Sequence, residues 1–167
     1  MGDGATHQAL NAVHHLRTSP RDPNGEPQFR SLADPPGKSL VQAYLQHETD
    51  SKAVLYVEVP STEQRPSGKA WLLKVLLRAT DDPEWNKQEA SYTKEIRLKD
   101  RLKRETELVI VADIHHLAQE PQHFDLLLSV FQTDTMMPLL IVGEPTQMRQ
   151  LLMANARFTW RFQSLRY

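Results

Sequence analysis

Two short runs constrain this chain more than anything else in it: Glu107 to Ala112 (ELVIVA) and Leu139 to Val142 (LLIV). Each is apolar almost throughout and too short for a helix that buries one stripe. Such runs suit strands covered on both faces, which is the situation in a parallel sheet. The chain around them alternates. Thr6 to Arg17 has Ala9, Leu10, Val13 and Leu16 at helical spacing, and Phe29 to Ala33 is a weak strand candidate interrupted by Arg30 and Ser31. Ser39 to Glu48 reads as a helix, and Ala53 to Val59 as a β-branched strand closed by Pro60. Lys69 to Ala79 and Ser91 to Arg104 are helical, the second with Tyr92/Ile96 and Leu98/Leu102 as i,i+4 pairs. Gln122 to Gln132 and Pro145 or Thr146 to Asn155 complete the helices, proline suiting a first turn. Alternation of this kind predicts an α/β fold, a parallel sheet with right-handed crossovers and helices on both faces.

The 167 residues, 40% hydrophobic and 25% charged, are enough for one ordinary core and exclude wholesale disorder. Thr18 to Gln28 holds Pro20, Pro23, Gly25 and Pro27, so an N-terminal helix and Pro-rich linker (1–28) are expected ahead of an α/β core (29–167). A net charge of −1 argues against nucleic-acid binding by bulk charge, leaving only local basic patches. The absence of cysteine excludes disulfides, thiolate zinc sites and cysteine nucleophiles. Met1 to His7 does not read as a signal peptide, and no apolar run approaches the ~18 residues of a membrane span. A cytoplasmic protein without membrane partners is expected.

Parallel sheets place ligands beyond the carboxyl ends of their strands, and three segments fall there. Asp34-Pro35-Pro36-Gly37-Lys38-Ser39 carries the last three residues of a phosphate loop. Such a loop needs backbone N–H groups round a phosphate, a lysine for its charge and a hydroxyl for Mg²⁺. The opening glycine is missing, Leu32 standing where it belongs, and two prolines supply no N–H. The same Gly-Lys-Ser also reads as a plain turn. Asp113 ends the ELVIVA strand, where phosphate-loop enzymes keep a carboxylate for the Mg²⁺ shell, but Ile114 follows it and accepts no proton. An Asp that merely caps the next turn is the competing reading. Glu144 after Val142-Gly143 offers a polar group near a γ-phosphate, or a carboxylate at a helix start. Two further segments read as decoys. Pro66-Ser67-Gly68-Lys69 lacks the first glycine and the hydroxyl, and His115-His116 with Asp113 and His123 lacks the facing geometry of a metal site.

The order of these segments resembles the TniB/TnsC family of AAA+ ATPases that assist DNA transposition. The resemblance runs from THQALNAVHHLRTSPRD through SLADPPGKSLVQAYL and VLYVEVPS to RLKRETELVIVADIHHLAQEP and PLLIVGEPTQMRQLLMANARFTWRFQSL, nearly the whole chain. It implies a P-loop NTPase core with ATP and Mg²⁺ as cofactors, in which Gly37, Lys38 and Ser39 touch the phosphates, Ser39 and Asp113 hold the metal, and Glu144 faces the γ-phosphate. Arg161 would be an arginine finger, with Arg157 of the neighbouring Arg157-Phe158 as the alternative. DNA, a transposase, a target-selecting protein and a homo-oligomer or filament are the implied partners. Family members normally continue into a final strand and, in longer forms, a helical lid; with the chain stopping at Tyr167, both are expected to be missing. With Ile114 at the water-activating position, weak or absent hydrolysis is expected. The alternative function is a nucleotide-free interaction module that docks onto a transposase or a full-length ATPase. The basic residues Lys94, Arg97, Lys99, Arg101, Lys103 and Arg104, interleaved with Glu95 and Asp100, read either as a salt-bridged solvated face or as a DNA track.

Overall fold

A computed structural model describes residues 3–35, 38–47, 53–135, 137–156 and 160–167. Its strands are β1 (Phe29–Ala33), β2 (Val54–Glu58), β3 (Leu108–Ala112), β4 (Leu139–Gly143) and β5 (Gln163–Ser164). Its helices are α1 (Asp3–Thr18), α2 (Ser39–His47), α3 (Trp71–Ala79), α4 (Ser91–Glu105), α5 (Pro121–Leu128) and α6 (Pro145–Ala154). The sheet order is β2-β3-β4-β1-β5, and every pairing is parallel. The two apolar runs are thus central neighbours, β3 against β4 with Val109 opposite Leu139, and every residue of both strands is buried.

Helices cover both faces. Ala9, Val13 and Leu16 of α1 join Leu40, Val41 and Tyr44 of α2 over Ile110, Ala112, Leu140 and Val142 on one side. The other side is the larger cluster, where α3, α4, α5 and α6 pack on Val109, Val111, Leu139 and Ile141. Because β1, β2, β3 and β4 all run the same way, Asp34, Glu58, Asp113 and Glu144 arrive at one end of the sheet. The register, Ala33 opposite Gly143 and Glu58 opposite Ala112, sets them level.

The structure departs from the sequence reading in four places. First, β1 is a full strand between β4 and β5: Ser31 is buried but satisfied, its hydroxyl donating to the Phe162 carbonyl at 3.3 Å. Second, the final strand is present. Gln163–Ser164 pairs with Arg30 and Ser31, and two residues carry too little pattern to be read as a strand. Third, the helix expected over 122–132 ends at Leu128 and widens into a π-type turn, Ser129–Asp134, with the Thr135 hydroxyl donating to the carbonyls of Val130 and Phe131. Fourth, the i,i+4 pairs of α4 separate. Leu98 and Leu102 are buried, while Tyr92 and Ile96 face solvent.

The basic helix α4 is mostly a folding device. Lys94 is 1% exposed and lies under the loop between α3 and α4; its ammonium donates to the carbonyls of Trp85 (3.1 Å) and Lys87 (2.8 Å) and pairs with Glu89. Arg97 bridges Asp82 and Glu89, Arg101 donates to the Thr80 hydroxyl and carbonyl, and Lys99 pairs with Glu95. The reading of Lys94 as part of a solvent-facing basic track is therefore corrected: Lys94, Leu98 and Leu102 share the inner stripe. A buried ammonium is tolerable there because fixed carbonyls and a carboxylate replace its water. Lys103 and Arg104 remain exposed.

Candidate functional site

The carboxyl ends of β1, β3 and β4 enclose a small cavity of about 120 Å³ lined by Asp34, Lys38, Asp113, Val142, Gly143 and Glu144. Lys38 lies immediately before α2 with a left-handed backbone (φ 56°). That turn sends its side chain across the strand ends, where the ammonium lies 3.2 Å from the Asp113 carboxylate and 3.5 Å from that of Glu58. Partial burial works against its charge; the hydrogen bond and field of Asp113, with those of Glu58, outweigh this and hold the Lys38 pKa above its ordinary value. Asp113 is also left-handed (φ 56°) and opens the tight helical turn Ile114–Leu117 without a side-chain cap. Glu58, at the end of β2, accepts a further hydrogen bond from the Tyr56 hydroxyl at 2.9 Å. Burial, then Glu58, push the Tyr56 phenol far up.

The sequence-predicted residues fare differently. Lys38, Asp113 and Glu144 share the cavity, Ser39 opens α2 and is exposed, and Gly37 lies outside the described residues, as does Arg157. Glu144 stands ahead of α6 with no side-chain cap contact. Arg161 is turned onto its own chain. Its guanidinium stacks 3.8 Å from the Phe29 ring and donates to the Pro27 carbonyl at 2.8 Å, latching the segment before β1. Ile114 is fully buried, its methyl 3.4 Å from where a Cβ on Gly143 would stand. Of the decoys, Pro66–Lys69 is a loop with Gly68 at φ 95°, beside Arg65, which is held by Glu120 and stacked on Trp71. His123 pairs with Glu120, the His115 and His116 rings lie side by side at 4.2 Å with a 40° tilt, and no three metal-ligating groups come together among the described residues.

Sequence reasoning missed two members of the site. Glu58 was seen only as part of a strand. Asp34 was seen only as the start of a turn, yet it is 1% exposed and accepts the N–H groups of Leu40 (3.1 Å) and Val41 (3.0 Å), the second and third residues of α2. These are the amides an N-cap side chain normally satisfies, and Lys38 at the cap position has no acceptor to offer. An acid a few residues ahead of a capless helix was the available signal.

Two solved structures share the architecture. Cdc6p from Pyrobaculum aerophilum superposes with a TM-score of 0.60 at 15% identity, over 95% of this chain and 44% of that one. The Aeropyrum pernix Orc1 protein, solved in complex with DNA, superposes at 0.57 and 16% identity, over 98% of this chain and 44% of that one. The chain thus spans less than half the length of either. No family model matches it, and no curated protein matches it significantly. What the likeness shows is the fold: a five-stranded parallel sheet flanked by helices on both faces, an α/β, P-loop-like architecture. Among the described residues, no helix is long and apolar enough to cross a membrane.

Proposed function

We propose that this chain is a nucleotide-binding AAA+-type accessory protein of DNA transposition, a TniB/TnsC-like regulator with weak or no ATP hydrolysis. The observation that carries the reading is the meeting of Lys38 and Asp113 at 3.2 Å, beyond the carboxyl ends of adjacent β1, β4 and β3. A strand-end carboxylate beside a helix-start lysine is the pairing that phosphate-loop chemistry uses. The donor set suits Mg²⁺-bound phosphate in kind: hard oxygens of Ser39 and Asp113 for the metal, and the Lys38 ammonium for the phosphate. Bound Mg²⁺ would supply charge neutralisation at the phosphates. Lys38 would then leave Asp113 for a phosphate oxygen, and Glu144 would face the terminal phosphate. Ile114 supports the expectation of weak hydrolysis, being a buried aliphatic where a base is needed. A finger role for Arg161 requires its release from Pro27 and Phe29 when subunits assemble.

A second reading, the nucleotide-free docking module, is favoured by one specific contact: Asp34 already holds the α2 amides. DNA is the further partner in this proposal, in line with the resemblance to transposition ATPases. Lys103 and Arg104 are the exposed cations of α4 that such contact would use, with binding that weakens as salt rises. Calorimetric titration of ATP with and without Mg²⁺, on wild type beside Lys38→Ala, decides between the readings. Binding lost in the variant supports the nucleotide site, and no binding at millimolar ATP supports the module.

A further inference from the structure

We infer that Asp34 sets the anion affinity of this site, holding on its own chain the two α2 amides that an incoming phosphate needs. The inference rests on the nucleotide-site reading and deepens it by naming the residue that decides whether the site opens.

The argument begins with the helix. α2 has nine residues, and its first turn presents N–H groups and the positive end of the helix dipole, the two features with which phosphate loops bind anions. In most such loops the chain leaves that end free. Here Pro35 and the left-handed Lys38 fold the chain back, the Lys38 N–H donating to the Pro35 carbonyl at 3.0 Å. Asp34 is thereby placed under the helix end, anchored by its own N–H to the Gly143 carbonyl at 2.9 Å. One carboxylate oxygen takes Leu40 and the other takes Val41. Both oxygens of a buried carboxylate are thus satisfied by the groups that would otherwise receive a phosphate.

The cation is engaged in the same way, since Lys38 lies between Asp113 and Glu58. The donors of the site are consequently engaged within the chain: Asp34 holds the amides, and Asp113 and Glu58 hold the lysine. A phosphate entering the 120 Å³ cavity meets Asp34 on its wall, and like charges so confined repel. Binding therefore requires Asp34 to be displaced or neutralised.

The test compares wild type, Asp34→Asn and Lys38→Ala in titrations with Mg·ATP and with inorganic pyrophosphate, following heat and the amide resonances of Leu40 and Val41. Asparagine keeps a cap acceptor, so the helix end stays formed; thermal unfolding checks this, and Asp34→Ser, which also keeps one, replaces it if the fold is lost. The expected result is that Asp34→Asn binds at least about tenfold more tightly than wild type, with the Leu40 and Val41 amides shifting on binding. Equal, Lys38-dependent affinities in wild type and Asp34→Asn overturn the inference and leave the nucleotide reading standing. Pyrophosphate binding by Asp34→Asn without ATP binding supports the inference and sinks the nucleotide reading. No binding of either probe by Asp34→Asn overturns both.

Discussion

Two lysines of this molecule are ringed by acceptors, and the contrast between them separates structure from site. Lys94 is enclosed: two backbone carbonyls and Glu89 replace its water, and it lies on the same buried face of α4 as Leu98 and Leu102. Lys38 is part-exposed at an edge where four segments end, and its partners are two carboxylates that also line or border a cavity. Carbonyls fixed in a loop cannot be exchanged for a ligand without unfolding that loop. Carboxylates at strand ends can. The difference teaches that acceptor type and enclosure, more than the count of charges, mark which ion cluster is open to chemistry.

The sharpest way to break the comparison is to add a charge where the site is in fact core. Ile114→Glu puts a carboxylate into a fully buried position beneath Gly143, with an expected loss of about 4 kcal/mol and a melting temperature lower by roughly 10 °C. Calorimetric unfolding checks it, and a stable variant that gained ATP turnover would contradict the placement of Ile114 in the core. Next in size, Lys94→Met strands two carbonyls and leaves Glu89 to Arg97 alone, and should cost about 3 kcal/mol, whereas Lys38→Met should cost less than about 1 kcal/mol. Equal losses in denaturant unfolding would erase the distinction drawn here.

The smallest effect is in pH. Lys38 has a raised pKa, so its pairing contributes fully below the unfolded value of 10.5 and is lost as pH rises through the higher folded value. Asp82 has a lowered pKa. Burial opposes its charge, and the hydrogen bond from Arg97 and the N–H of Glu84 more than compensate. Its contribution is present above the unfolded value of 3.8 and lost as pH falls through the lower folded one. Melting temperature against pH should therefore lose part of its acid slope in Arg97→Met, and part of its alkaline slope in Lys38→Met. The alkaline pair is best compared in a Tyr56→Phe background, since Tyr56 titrates late as well. An unchanged acid slope in Arg97→Met would remove Asp82 from the clamp.

Much of the fold was legible because β3, β4 and the helices carry their burial in a local period. β5 was not, because two residues pair with β1 only once the sheet exists. Lys94 was misplaced because alternating Lys and Glu normally mark a solvated face; the spacing Lys94, Leu98, Leu102 was the signal for the inner stripe. At the candidate site, residue type and strand-end position point to Lys38 and Asp113, which the fold brings within 3.2 Å of each other. Asp34 was missed because capping is sought at the residue beside the helix, and the carboxylate that caps α2 comes from farther up the chain, brought round by a turn.

Ile114 carries a longer consequence. Its side chain lies beneath Gly143 in the same apolar cluster as Leu117 and Met148, so hydrocarbon closes this end of the sheet directly behind Asp113. Neighbours are closed round an aliphatic side chain, and a bulkier or charged group at that position meets a packed wall. A polar side chain fits there only if the turn after β3 and the start of α6 move together, so any change at this end of the sheet is tied to the packing beneath it.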